Sequence, residues 1–189
     1  MGRIFLIASA AVMMTACASM SEEQCLAGNW EELGYKDGSN GVSVDRVSKY
    51  ANVCSEHGVS VDQHLYSQGY EQGIQNYCTD TRGFRVGEGG SSFNQACTGF
   101  TDYELAFADG RIIYEIEQEY AYLLDEYENL GEQFYQLDTE LKVEGITDSE
   151  RKDLRRKQDR IKHELRGLRL DIRDFETAHG FARTRLDGF

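Results

Sequence analysis

The chain has no proline anywhere in its 189 residues, so nothing in it forces a kink and a helix of any length can run unbroken. It has one tryptophan and four histidines, which leaves few groups for imidazole chemistry. Basic residues are the minority. Against 33 Asp and Glu there are 20 Lys and Arg, a formal charge of −13. That balance argues against a nucleic-acid partner, which needs a basic face to displace counterions from phosphates. The longest apolar run, Ile4 to Met14, makes about 16 Å of helix, too short for a bilayer core of roughly 30 Å. No CxxC, GxSxG or HExxH pattern is present. With 40% hydrophobic and 28% charged residues the chain is not broadly disordered, and its length suits one domain or a domain with an extension.

Residues 1–16, MGRIFLIASAAVMMTA, carry Arg3 as a positive start, the apolar run and then small residues, the pattern of a secretion signal. Met14-Thr15-Ala16-Cys17 resembles the lipobox of bacterial lipoproteins, in which the cysteine receives a diacylglyceryl thioether and becomes the mature N-terminus. Ordinary cleavage after Ala18, with Ala16-Cys17-Ala18 as the cleavage motif, is the competing reading. Ala18 rather than Asp after the cysteine resembles the signal for export to the Gram-negative outer membrane. Acyl chains at about 0.8 kcal/mol per buried CH₂ would hold a protein lipidated at Cys17 permanently on a membrane. The expected place is therefore the cell envelope, lipid-anchored at the outer membrane and facing the periplasm, with the membrane as first partner.

With Cys17 assigned to lipid, Cys25, Cys54, Cys78 and Cys97 form an even set in an oxidising compartment, a two-disulfide framework. Ser21-Glu22-Glu23-Gln24 is a capping box for a helix running toward Gly38 and Gly41, and Val44 to Glu56 is a second helical pattern stopped by Gly58. Folded back across Gly41, the two helices bring Cys25 and Cys54 to the same end. That leaves Cys78 to pair with Cys97.

Three segments align without gaps: Trp30 to Gly38, Leu65 to Gly73 and Asp102 to Gly110. Each carries small-aromatic-x-x-Gly, at Gly34-Tyr35, Gly69-Tyr70 and Ala106-Phe107, with spacings of 35 and 37 residues. A small residue four before a glycine clears one helix face and lets another backbone approach. The expected use is helix packing within one small domain. The sharper expectation is a ligand or partner face made of Trp30, Gly34, Tyr35, Asp37, Gly38, Tyr66, Gly69, Tyr70, Gly73, Gly83 and Phe84. Between the second and third segments, Tyr77 to Phe93 is dense in turn formers and reads as a loop or short hairpin stapled by Cys78 and Cys97.

These residues resemble an uncharacterised bacterial lipoprotein family, domain of unknown function 2799. The resemblance rests on Cys17, Trp30 with Gly34-Tyr35-x-Asp37-Gly38, Cys54 with His57-Gly58-Val59, Asp62 with Tyr66-x-x-Gly69, Tyr77-Cys78-Thr79, Gly83-Phe84 and Phe93-x-x-x-Cys97. It spans about residues 17–112 and implies an envelope location and a cysteine- and glycine-marked head, with no catalytic assignment to carry over.

After Gly110 the pattern changes. Ile113, Ile116, Tyr120, Leu123, Tyr127, Leu130, Phe134, Leu137 and Leu141 alternate spacings of three and four, a coiled-coil seam. Thr147-Asp148-Ser149-Glu150 is a second capping box, after which Leu154, Gln158, Ile161, Leu165, Leu168, Ile172, Phe175, His179 and Ala182 repeat the alternation. Folded antiparallel around Gly145, facing positions share an index sum of 295, from 141 with 154 through 120 with 175 to 116 with 179 and 113 with 182. Ile113 to Glu144 holds 10 acids and one base, whereas Ser149 to His179 holds 10 bases and 7 acids, so the arms attract each other.

The expected architecture is mostly α: a signal peptide over 1–16, a Cys/Gly-rich helical head over 17–110 with two disulfides, an antiparallel coiled-coil hairpin over 111–180 whose first helix starts near 102, and a tail over 181–189. His57, Asp62 and His64 are the nearest approach to a catalytic or metal cluster, but Asp62 is placed to cap a helix and His57 to sit at a helix C-terminus. No catalytic residue, cofactor or metal ligand is assigned. The expected function is a non-enzymatic binding or scaffold module, engaging an envelope protein through head and hairpin. The alternative is a periplasmic hydrolase or metal-binding protein using His57, Asp62 and a Gly83–Phe93 loop.

Overall fold

A computed structural model of the chain describes residues 20–186; the expected signal peptide over 1–16 and the expected lipidation site Cys17 lie outside the described residues, as do residues 187–189. The described part is helical, with no strand: α1 Glu22–Ala27, α2 Trp30–Ser39, α3 Arg46–Glu56, α4 Gln63–Tyr77, α5 Asp80–Glu88, α6 Thr101–Leu141 and α7 Asp148–His179, with a 3₁₀ turn at Gln95–Cys97. This is the mostly α, disulfide-bonded architecture with a long hairpin that the patterning predicts. The helices form two units. Of the described residues, one unit holds those through Thr79 together with Asn94–Thr101, the other Asp80–Phe93 and those from Asp102 on.

In the first unit the Ser21 capping box starts α1, but the helix does not run on to Gly38. Gly28 takes the left-handed conformation and ends it after six residues, so that Trp30 opens a separate α2. Asp62 caps α4, its carboxylate accepting from the backbone amides of His64 and Leu65. Helices α2 and α4 lie parallel, backbone against backbone. A Cβ added at Gly38 would sit 2.5 Å from the Tyr70 carbonyl oxygen and 2.7 Å from the Ile74 nitrogen. Gly34, Gly69 and Gly73 meet the facing helix in the same way, each over a carbonyl oxygen and the amide four residues on. Disulfide Cys25–Cys54 ties α1 to α3, and Cys78–Cys97 ties the end of α4 to the 3₁₀ turn. Bridges closing loops of 29 and 19 residues contribute about 3–4 kcal/mol each in the chain-entropy account.

The second unit corrects the reading of Tyr77 to Phe93 as a loop or short hairpin. Asp80–Glu88 is α5, and Gly83 and Gly87 are not turn formers but contact positions. A Cβ on Gly87 would sit 2.8 Å from the Arg111 nitrogen, and one on Gly110 2.8 Å from the Glu88 nitrogen. Helices α5 and α6 are thus a second parallel pair, and Gly83-Phe84-x-x-Gly87 is a fourth copy of the repeated motif. The copies agree down to their ends. Val42 N–H donates to the Asp37 carbonyl and Ser91 N–H to the Val86 carbonyl, closing both helices in the same way. Gly41 and Gly90, at φ +65° and +69°, each lie beneath a tyrosine ring, Tyr77 in one unit and Tyr114 in the other.

Helix α6 continues unbroken for 41 residues, and α7 returns antiparallel to it. Tyr120 stacks on Phe175 with centroids 5.7 Å apart, an index sum of 295. Tyr127, Leu165, Leu168 and Ile172 form the buried centre, packed by Leu123, Leu130, Phe134 and Ile161. Polar links across the seam include Arg169 to the Tyr127 hydroxyl and Arg151 to the Leu141 carbonyl. The last expected pair is not formed. Gly180 turns left-handed after His179, so Ala182 is off the helix and Ile113 stays exposed. The tail instead folds back along α6: Phe181 stacks on Tyr120, and Leu186 packs on the buried cluster. Glu176, 2% exposed, holds this turn. Burial pushes its carboxyl up, but the Thr184 amide, the Tyr120 hydroxyl and the Arg173 guanidinium donate to it and hold it below the ordinary glutamate value.

Three outcomes follow for stability. Gly38→Ala should cost about 3 kcal/mol in urea unfolding because a methyl must enter between two backbones. Gly167→Ala, at a position in α7 with nothing within 4 Å, should instead add about 0.5–1 kcal/mol from helix propensity. The Glu176 contribution is present above the ordinary value of 4.5 and is lost as pH falls through the lower folded one. Wild type should therefore lose stability below about pH 4.5 more steeply than Glu176→Gln, as read by thermal unfolding across that range.

Candidate partner-binding surfaces

The repeated motif places one buried carboxylate. Asp37 stands three residues after Gly34, so it shares neither glycine's place on the seam but lies at its edge, 8% exposed. Its Oδ2 accepts from the Tyr66 hydroxyl at 2.8 Å and from the Tyr50 hydroxyl at 2.9 Å. Burial first, and then the hydrogen bond to Asp37, pushes Tyr50 up to about 12 and raises Tyr66 further. Tyr70 is raised by burial as well, and its hydroxyl donates to the Val42 carbonyl. A buried carboxylate bonded by two phenols is a structural lock linking α2, α3 and α4, because both of its bonds end on side chains of its own unit. In the second unit the equivalent position is Val86, and the aromatic cluster there is Phe93, edge-on to Tyr103 and Phe107.

The face expected to receive a ligand is therefore largely spent. Gly34, Gly38, Gly69 and Gly73 face each other's helices, Gly83 faces α6, and Trp30, Asp37, Tyr66 and Tyr70 are buried. The part that reaches solvent reduces to Tyr35, 46% exposed, and Phe84, 36% exposed. Beside α2 run two shallow hollows of about 190 Å³ each that share Met20, Gln24, Leu33 and Lys36. They are smaller than the roughly 300–1,000 Å³ of typical ligand pockets.

The His57, Asp62 and His64 cluster resolves into separate local roles. The Asp62 carboxylate caps α4, the His57 Nδ1 lies 3.8 Å from Glu22, and the His64 ring meets the Gln68 amide. Among the described residues no group of three His, Cys, Asp or Glu is arranged to hold a metal ion. Residues 83–88 are helical, so the loop that the hydrolase alternative needs is absent there. Lipidation at Cys17 falls outside the described residues, and among those described no helix is long and apolar enough to cross a membrane.

The larger accessible surfaces lie on the hairpin. Along α7, Lys152, Arg155, Arg156, Arg160, His163 and Arg166 are exposed, with Leu170 among them at 65%. Along α6, Leu105, Ile112, Tyr122 and Tyr135 are each more than half exposed. Four contributors were missed in the sequence: Tyr50, Glu176, Gly87 and the Leu105–Ile112 stripe. Gly87 alone had a clear signal, since Gly83-Phe84-x-x-Gly87 repeats the motif already recognised elsewhere.

Residues 29–111 match the family model described as Protein of unknown function (DUF2799), the family that the sequence resemblance names. No curated protein and no solved structure matches the chain.

The Asp37 lock predicts late tyrosines. In a spectrophotometric titration of the folded protein two phenols should ionise at or above about pH 12, and Tyr66→Phe should remove one of them. Stability conferred by these neutral phenols is present below their ordinary value near 10 and lost as pH rises through the folded ones, so unfolding at high pH should begin above about 10.

Proposed function

We propose that this chain, whose residues 29–111 match the DUF2799 family, is a lipid-anchored lipoprotein of the bacterial cell envelope that works as a binding or scaffold module. Its anchor is Cys17, its place the outer membrane facing the periplasm, and its partner an envelope protein. The observation that carries this reading is the distribution of polar and apolar groups. In the head, the buried carboxylate and the glycine seams are engaged within the fold. On the hairpin, by contrast, exposed bases line α7 and exposed aliphatic and aromatic side chains line α6. A two-helix coiled coil offers such faces on rigid elements, so little ordering entropy opposes association.

Two measurements test it. Cys17→Ser should move the protein from the membrane to the soluble fraction and abolish labelling by palmitate; unchanged fractionation would remove the anchor. Photo-crosslinkers at Gln118, Glu132 and Arg160 in living cells should trap a defined envelope protein. Failure at every position would count decisively against a docking role.

A further inference from the structure

We infer that residues 105–116 of α6 are a docking site for a cationic amphipathic helix of a partner protein. This deepens the binding-module reading above and rests on it.

The site is the unpartnered end of a seam whose partnered part is visible in the same structure. Leu105, Ile112 and Ile116 are separated by seven and four residues and continue by seven to Leu123. They lie on the α6 face that meets α7 further along, at Leu123, Tyr127, Leu130 and Phe134. Helix α7 stops at His179 and the tail turns back over Tyr120 toward Leu124 and Tyr127, away from this end. What is left uncovered is a stripe of large apolar side chains, Leu105 61% exposed, Ile112 54% and Ile113 39%, with the carboxylate of Asp109 exposed on the turn between Leu105 and Ile112.

The chemistry of the occupant is read from the occupant already in place. Over its partnered length this face accepts α7, a helix with Ile161, Leu165, Leu168 and Ile172 on one side and Lys or Arg on its flanks. One of those bases, Arg169, donates to the Tyr127 hydroxyl of α6. The free end has the same composition of apolar stripe and acidic borders. From Asp102 to Glu119 there are six acids and one base, and that base, Arg111, is drawn to Glu115 and lies over the Tyr114 ring. Acidic borders disfavour an anionic membrane, and they disfavour the same stripe of a second copy, since both would bring like charges together. A helix with an aliphatic face and basic flanks satisfies both the stripe and its borders.

The probe is a fluorescent synthetic peptide with the sequence of residues 148–180, titrated into the purified full-length protein. Saturable binding is expected. Ile112→Glu should weaken it by about tenfold or more, Ile112→Leu should leave it within about twofold, and raising salt should weaken it as screening predicts. Because both substitutions are on an exposed surface, circular dichroism should show an unchanged fold, and Leu105→Gln provides a second variant with the same expected loss. Equal binding to wild type and Ile112→Glu would mean that the peptide displaces α7 instead, and would overturn the site. So would no binding, self-association of wild type that Ile112→Glu abolishes, or recruitment to anionic vesicles that depends on Ile112. In cells, crosslinks from Gln118, Glu132 or Arg160 with none from Leu105 or Ile112 would remove this site and leave the binding module standing; silence at all five would remove both.

Discussion

Contact between helix backbones is the constraint on which the rest of the fold depends. In each unit two parallel helices approach until the glycine Cα of one rests over a carbonyl and an amide of the other, a separation that leaves no room for a Cβ at those positions. Side chains are thereby excluded from the middle of each pair. The apolar material goes to the margins instead, as Tyr70 and Tyr66 in one unit and Phe107, Tyr103 and Phe93 in the other. Parallel pairing also demands a crossover between the two helices of a pair. In the first unit α3 supplies it, which explains why a bridge from α1 fastens that helix at Cys54.

The hairpin obeys a different rule. Its arms are antiparallel, joined by a short turn, and held by interdigitated side chains rather than by backbone proximity. Heptad spacing is a strong signal because it must persist over many turns, so the register could be computed from residue numbers and agrees with the stacking of Tyr120 on Phe175. The ends were less legible. Whether a helix stops at His179 or continues to Ala182 turns on Gly180 and on the competing contacts that Phe181, Thr184 and Leu186 find along α6, and those contacts are tertiary.

The head was legible in part. Capping at Ser21 and Asp62 could be read because cap chemistry is local. The motif copies at Gly34, Gly69 and Ala106 stood out through similar spacing, whereas Gly83 to Gly87 did not, because it follows Gly69 by only 14 residues amid other glycines that favour turns. A glycine at the end of a helix and a glycine against a neighbouring helix look alike in sequence; only the presence of a second backbone distinguishes them. The Asp37 lock was out of reach for the same reason, since Tyr50 and Tyr66 are 13 and 29 residues from it.

Four helices bearing one motif raise a question of partner choice that glycine cannot answer. Any of them could approach any other, because a backbone has the same shape everywhere. Between α2 and α5, discrimination falls to the one motif position where those two copies differ in kind, Asp37 in α2 against Val86 in α5. Were α5 to pair with α4, valine would lie beside the Tyr66 hydroxyl, and the carboxylate that hydroxyl now serves would be elsewhere. The buried acid thus works as an identity mark, making one of several sterically equivalent pairings chemically correct.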